Sequence, residues 1–225
     1  MNSHPDQQRA CAILTCLAEP ADPLMGRLLR VLTPAGVLAM IRSGSVRAHV
    51  TAELDPAQVA RLCPMLDRWR AQLPVIPADG GLAAAQRDGI RLLCPGEAGW
   101  PPGLDDLGTA RPYALWVRGT TDLAACCEKS LSVVGARAAS AYGTHTATEL
   151  AAGLAGRGWV IVSGAAYGVD AAAHHGASLV TAAPSPSSPA APTCPTPAST
   201  GACSLTSPPA GLSSASTRPA GGPAV

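Results

Sequence analysis

The sequence has no phenylalanine, and aromatic residues make up only 3% of it. Together with abundant Ala, Gly and Pro, this absence is typical of a gene rich in G and C and excludes no chemistry by itself. Charged residues are also sparse, at 14%, and the formal net charge is +1. Such a balance excludes a protein that coats nucleic acid through a broad basic surface, so any nucleic-acid site must be a local pocket.

The chain also lacks metal, disulfide and membrane patterns. Its eight cysteines include no C-x-x-C pair, which argues against a zinc site or a disulfide framework. No apolar run approaches the roughly 20 residues that span a bilayer. The opening MNSHPDQQRA has no basic segment followed by an apolar core, so it does not look like a signal peptide. We expect a cytoplasmic protein with free thiols, no membrane association, no metal and no cofactor.

The N-terminal region, residues 1–75, is predicted to be a small helical domain. Apolar residues recur at three- and four-residue spacing in four segments, which are 9–17, 24–32, 36–41 and 57–66. Prolines punctuate the breaks and stand near plausible helix starts.

Residues 131–177 carry the most informative pattern in the chain. The apolar runs 131–134 and 159–162 predict two buried strands, and the helical spacing of 144–156 predicts a helix between them. A strand, a helix and a second strand form a right-handed parallel βαβ unit. Each strand is followed by a glycine turn, so both turns fall at the carboxyl edge of the sheet, where open α/β sheets bind ligands.

Two motifs in this unit resemble the DNA-processing protein A (DprA, or Smf) family. The chain has VGAR, then YG, and later VSGAAYGVDAAAHHGA. The family pattern is VGxR, then SGxAxGID and AAHxxAL, in the same order and at a similar distance. The segment GIRLLCPGEAGWPPGLDDLGTARPYALWVRG, from Gly89, is similar to the family's approach to its Rossmann-like domain.

The resemblance implies an α/β fold, with the helical domain followed by an incomplete Rossmann-like parallel-sheet domain over residues 85–177. It implies a non-enzymatic single-stranded DNA binding protein of DNA uptake, natural transformation and RecA-dependent recombination. The implied partners are single-stranded DNA and the RecA recombinase. The homodimer of full-length members is not carried over to this chain. The helical domain resembles sterile-alpha-motif or helix-hairpin-helix regions, but without a Gly-rich hairpin and flanking lysines we favour a packing role.

In the first turn, Gly135 and Arg137 are the candidate DNA-contacting residues. Glycine lets the backbone approach a ligand closely after the strand, although it also suits a tight strand-to-helix turn. A guanidinium beside such a turn can clamp a phosphate with two hydrogen bonds, and the VGAR match favours this role over a solvated surface charge.

In the second turn, the backbone amides of Ser163, Gly164 and Gly168 could cradle a phosphate. Tyr167 stands where many family members have Arg or Lys, and it could stack on a base instead. Asp170 is interpreted as a helix N-cap. His174 and His175 are adjacent on a helix and point in different directions, so we expect no chelating pair.

After Ala177 the composition changes, and residues 178–225 are almost entirely Ala, Pro, Ser, Thr and Gly. Such a segment is predicted to be disordered because it has too little apolar surface to offset its ordering entropy. Read in a shifted frame, 181–197 can encode GGTVAVLACGPDVPYP and 212–221 can encode VVSEYPPG, both similar to the family's continuation. We therefore interpret the tail as out-of-frame and expect the truncated product to be inactive.

Two other interpretations stay open. A nucleotide- or dinucleotide-binding enzyme on a Rossmann-like fold is the first. It is weakened because GARAASAYG is not G-x-G-x-x-G, no acidic residue directly follows the second strand, and no catalytic triad is evident. A non-functional fragment is the second.

Overall fold

A computed structural model describes residues 5–181 and the pair 205–206. The N-terminal part is helical, with a 3-10 turn at Leu73–Val75 after the fifth helix. Its helices are α1 (Pro5–Leu17), α2 (Pro23–Val31), α3 (Pro34–Ser43), α4 (Ala48–Ala52), α5 (Pro56–Gln72) and α6 (Leu82–Arg87). The elements that follow are β1 (Ile90–Leu93), β2 (Leu115–Arg118), α7 (Leu123–Glu128), β3 (Ser130–Ser132), α8 (Ala141–Ala155), β4 (Val160–Val162), α9 (Val169–Thr181) and β5 (Leu205–Thr206).

Three of the N-terminal helices begin with a side-chain cap followed by proline. The Asp22 carboxylate accepts hydrogen bonds of 2.9 Å from the first amides of α2. The Thr33 hydroxyl caps α3, and Asp55 forms a capping box with Gln58 at α5. Caps supply partners for amides that have none within the helix, and proline at the first position has no amide to satisfy. The predicted helical region is confirmed, and the short helix α4 was not predicted.

Helices α1 to α5 share one core. Its largest fully buried side chain is Trp69, and the others nearby are aliphatic. They include Ile13, Leu14, Met25, Leu28, Val37, Ile41, Leu62 and Leu66. This continuous cluster packs the helices against one another.

A second sheet was missed by the sequence analysis. Strands β1 and β2 pair antiparallel, from Ile90 opposite Arg118 to Leu93 opposite Leu115. One face of this pair packs on α1 and α6, and the other packs on α7. Strand β5 pairs antiparallel with the outer edge of β2.

The predicted parallel unit is present. Strands β3 and β4 pair in parallel with Leu131 opposite Ile161, and α8 lies between them in the chain. Helices α8 and α9 cover one face through Val133, Ala151, Ile161 and Ala173. The chain therefore has an α/β fold with N-terminal helices.

The first strand lies slightly earlier than predicted. It covers Ser130–Ser132 rather than residues 131–134. The Val133 amide still donates a 2.9 Å hydrogen bond to the Val162 carbonyl, whereas Val134 is 72% exposed. The backbone leaves the sheet there because the glycine turn begins at the next residue.

Two further expectations need correction. Asp170 lies within the first turn of α9, which begins at Val169, so it is not the residue that caps the helix from outside. Helix α9 continues to Thr181, four residues beyond the predicted boundary at Ala177. The predicted tail also contains strand β5, and the rest of the segment that we interpret as out-of-frame, 182–204 and 207–225, lies outside the described residues.

Within the described residues, no single helix has both the length and the apolar character to cross a membrane. Helices α2 and α3 pass that test only as a pair, and they are bent by 112° at the break between them.

Candidate nucleic-acid interface

The two glycine turns lie against each other at the carboxyl edge of the parallel strands. Gly168 has φ +84°, and a Cβ there would overlap the carbonyl oxygens of Ala136 and Arg137. The Val169 amide also donates a 3.2 Å hydrogen bond to the Ala136 carbonyl. Only glycine fits this close approach, because other residues carry a Cβ and rarely adopt that backbone conformation.

Two more of the predicted residues tie the turns to the sheet. A Cβ at Gly135 would lie 2.8 Å from a methyl carbon of Val169, so glycine is also required where the first turn meets α9. The Ser163 hydroxyl donates a 2.6 Å hydrogen bond to the Val133 carbonyl and so joins the ends of the two strands. The predicted residues of both turns are therefore brought together in one place.

The groups that face solvent from these turns are a cation and an aromatic ring. Arg137 is exposed and makes no ion pair with any other described residue. Tyr167, on the neighbouring turn, is 86% exposed. Both side chains are available to a ligand, and their chemistry suits a phosphate and a base, respectively.

The N-terminus of α8 follows the first turn directly. Ser140 caps this helix, since its hydroxyl accepts a 3.2 Å hydrogen bond from the Gly143 amide. The positive end of the helix dipole therefore points toward the same edge as Arg137. Tyr142, in the first turn of α8, is a second exposed aromatic residue.

Beneath the second turn, α9 contributes two buried polar side chains, Asp170 and His174. Burial lowers the pKa of His174, because it disfavours the charged imidazolium, although the Ser163 backbone and the Asp170 carboxylate oppose this shift. His175 is exposed, so the two adjacent imidazoles point apart as predicted. Among the described residues, no group of three His, Cys, Asp or Glu side chains is placed to hold a metal ion.

A cavity of about 530 Å³ lies away from these turns, between the N-terminal helices and the segment after β1. Its lining includes Cys11, Arg30, Cys94, Arg111 and Tyr113. None of the predicted site residues lines it, so the candidate interface lies outside this cavity.

The sequence profile described as DNA recombination-mediator protein A matches residues 91–183. This segment of the chain belongs to that family. A Mycobacterium tuberculosis relative that carries the name DNA processing protein DprA is 35% identical over 179 residues, or 75% of this chain and 42% of the relative. The DNA processing protein DprA of Bacillus subtilis is 29% identical over 124 residues, or 55% of this chain and 39% of the relative.

The matched DprA segment begins in β1 and ends just past α9, so it contains both glycine turns and all six predicted site residues. It reaches six residues beyond the boundary predicted at Ala177. The chain spans about two fifths of the length of these relatives.

Proposed function

We propose that this DprA family protein is a non-enzymatic, cytoplasmic single-stranded DNA binding protein of natural transformation and RecA-dependent recombination. The observation that supports it is the backbone contact between the two turns, which holds Arg137 and Tyr167 on one exposed edge. In this proposal the guanidinium and the turn amides bind phosphate, and the tyrosine ring stacks on a base. RecA is the proposed protein partner, on the basis of family resemblance.

The binding should be weak, because few contacts contribute to it. A hydrogen bond to a charged group is worth about 1.5–3 kcal/mol, and stacking of one base is worth about 1–3 kcal/mol. The near-neutral net charge adds little long-range attraction to these terms. We propose that the 225-residue chain binds detectably only at low ionic strength and more weakly than its longer relatives.

Arg137→Ala tests the phosphate contact. Anisotropy titration of a labelled oligothymidylate at low salt should show an affinity about tenfold lower than that of the parent chain. Arg157→Ala is the matched control, because Arg157 is also exposed but precedes β4 and so lies at the opposite, amino end of the strand. Equal affinities for the parent and Arg137→Ala would assign Arg137 to the solvated surface and remove the main support for the proposal.

Tyr167→Lys tests whether position 167 lies close to the DNA phosphates in the same site. The residue is so exposed that the change should leave the fold intact, and lysine restores the cation that many family members carry. The slope of the logarithm of affinity against the logarithm of salt concentration should then become more negative, by about 0.7 for one added phosphate contact. An unchanged slope would mean that Tyr167 does not lie along the DNA backbone.

A nucleotide- or dinucleotide-binding enzyme is the alternative. The close packing of Gly168 on the first turn shows that these glycines serve contact between two loops, which differs from the single G-x-G-x-x-G turn of dinucleotide sites. Titration with NADH or ATP at two salt concentrations separates the proposals, because dinucleotide affinity should change little with salt. Saturable NADH or ATP binding without oligonucleotide binding would favour the alternative.

A further inference from the structure

The cavity between the N-terminal helices and the segment after β1 has the size and the lining of a small-molecule site. Its volume of about 530 Å³ falls within the roughly 300–1,000 Å³ of typical ligand pockets. Its apolar lining includes Leu29, Pro34 and Pro112, together with the buried thiols of Cys11 and Cys94. Its polar lining residues are Gln7, Arg30, Asp105, Arg111 and Tyr113.

One wall of the cavity, the 3-10 segment Pro102–Ala110, is fixed to α2. A Cβ at Gly26 of α2 would overlap the Thr109 carbonyl oxygen, so glycine is required where the two backbones meet. The Trp100 indole donates a 3.2 Å hydrogen bond to Asp105 Oδ1. The same oxygen accepts a 2.8 Å hydrogen bond from Arg111 Nη1, so a held carboxylate fixes this guanidinium at the cavity.

The two arginines of the lining converge near Gly108. A Cβ at Gly108 would lie 3.9 Å from Arg30 Nη1, so the Arg30 side chain reaches from α2 to this wall. The Arg111 amide donates a 3.3 Å hydrogen bond to the Gly108 carbonyl. Arg30 makes no ion pair with any other described residue. Because Asp105 offsets only one of the two arginines, the lining has one net positive charge.

The other polar side chains of the lining are already partly used. Gln7 Oε1 accepts a 3.3 Å hydrogen bond from the Ala35 amide, which leaves the Gln7 amide N–H groups. The Tyr113 hydroxyl donates to the Glu19 carbonyl at 2.8 Å and accepts from the Asp22 amide at 3.2 Å, so it offers a ligand its ring and not a hydrogen bond. The two guanidinium groups and the Gln7 amide are donors, so a ligand must bring acceptors.

We propose that this cavity binds a small organic carboxylate. The carboxylate group lies between Arg30 and Arg111, and the apolar or aromatic body of the ligand packs against the cavity wall. Guanidinium groups match the planar geometry of a carboxylate with paired hydrogen bonds. A carboxylate also matches the single net positive charge, whereas the Asp105 carboxylate disfavours a doubly charged phosphate. The site is separate from the two glycine turns, so the proposal does not depend on DNA binding.

Phenylacetate is a suitable probe, because it joins a carboxylate to an aromatic body. Equilibrium dialysis of the radiolabelled compound against the full 225-residue chain should show saturable binding at one site. Acetate, which lacks the body, and phenylacetamide, which lacks the charge, should each compete at least about tenfold more weakly. Phenyl phosphate should also compete more weakly. Equal competition by phenylacetamide, or tighter binding of phenyl phosphate, would overturn the proposal.

Arg30→Gln tests the proposed carboxylate contact. The change removes the charge but keeps a long side chain, and Arg30 is exposed, so the fold should be retained. Affinity for phenylacetate should fall about tenfold, and Arg30→Lys should lose less because it keeps the cation. Arg42→Gln is the matched control, since Arg42 is an exposed arginine in the last turn of α3 and is not part of the lining. Parent-like binding in Arg30→Gln, or an equal loss in Arg42→Gln, would overturn the proposal.

Oligothymidylate anisotropy on the same proteins separates the cavity from the proposed DNA site. Arg30→Gln should leave oligothymidylate affinity within about twofold of the parent, and Arg137→Ala should leave phenylacetate binding unchanged. If the parent chain binds phenylacetate but no oligonucleotide, the proposed function fails and the cavity proposal stands. A parallel loss of both ligands in Arg30→Gln would overturn the cavity proposal, because Arg30 would then belong to a nucleic-acid surface.

Discussion

The N-terminal helices and the parallel unit are stabilised in different ways. The helices bury large side chains completely, among them Trp69 at 1% exposure and Ile41 and Met25 with none. The parallel unit buries Val133 and Ile161 against two alanines, Ala151 and Ala173, and leaves Val134 in solvent. The helical region therefore carries its own core, whereas the parallel unit depends on close backbone packing over a small core.

The two sheets also differ in whether one or both of their faces pack against helices. Strands β1 and β2 are packed on both faces, by α1 and α6 on one side and by α7 on the other. Among the described residues, β3 and β4 form a two-stranded sheet whose main core cluster lies on the face toward α8 and α9. Parallel strands are normally buried on both faces, and two strands alone are marginal. The candidate interface thus lies on the part of the molecule with the smaller core, which we expect to be the less stable part.

The largest effect should come from the helical core. Trp69→Ala should lower the free energy of unfolding by about 3–5 kcal/mol, because it empties a large, fully buried site. Leu150→Ala, at an exposed position of α8, should change it by less than about 0.5 kcal/mol. Urea unfolding followed by circular dichroism measures both. Similar effects for the two variants would mean that the helices do not hold the main core.

The next effect concerns the contact between the turns. Gly168→Ala should destabilise the parallel unit by about 1–3 kcal/mol, because alanine is strained at this φ and overlaps the first turn. Gly153→Ala is the control, since a Cβ there meets open space in α8 and alanine should stabilise the helix by about 0.5–1 kcal/mol. Hydrogen exchange in β3 and β4 reports the change. If Gly168→Ala left the stability of the parallel unit unchanged, the two turns would not be in tight contact.

A smaller effect depends on pH. The pKa of His174 is lowered in the folded chain, so the unfolded chain binds more protons as pH falls below the ordinary histidine value of about 6.5. Stability should therefore be lost toward acid pH, by at most about 1.4 kcal/mol per pH unit from this group. The Asp170 carboxylate, which favours the protonated ring, should reduce this loss.

Melting temperatures from pH 7.5 to 5.5 measure this loss, and the part due to His174 should vanish in His174→Asn. His175→Asn should retain it, because His175 is exposed. An identical pH dependence in the parent and His174→Asn would contradict the assignment.

The smallest effect on stability should come from the exposed apolar residues near β3. These residues should instead affect how strongly the chain self-associates. The purified chain should self-associate, because apolar groups near β3 remain in contact with water. Val134→Thr should reduce this association at little cost in stability, since Val134 is mostly exposed. Light scattering after size exclusion tests this. A monomeric parent chain with a sharp cooperative melt and protected amides in both strands would contradict the comparison.

Local patterns explain which elements were predictable. Proline after Asp22, Thr33 and Asp55 marks helix starts through chemistry within a few residues. The parallel strands were predictable for the same reason, since each is a short β-branched run that a glycine turn closes. Strands β1 and β2 could not be paired from sequence, because residues 94–114 separate them and no hairpin turn signals their contact.

The sequence predicted which residues form the candidate site, but not how those residues pack against one another. Its glycines and Arg137 stand in recognisable motifs, and parallel topology places both turns at one edge. The overlap of Gly168 with the first turn depends on tertiary packing, which no local pattern encodes. The burial of Asp170 was missed because a cap assignment considers only the helix itself and not the turn it packs against.

The most direct test of the account is a hydrogen-exchange footprint of the parent chain with and without oligothymidylate at low salt. If the two turns form one DNA-binding surface, residues 135–139 and 163–168 should gain protection together, while α1–α5 stay unchanged. Arg137→Ala should lose the protection of both turns at once, because they share one ligand. Protection confined to the N-terminal helices, or to one turn alone, would contradict the account.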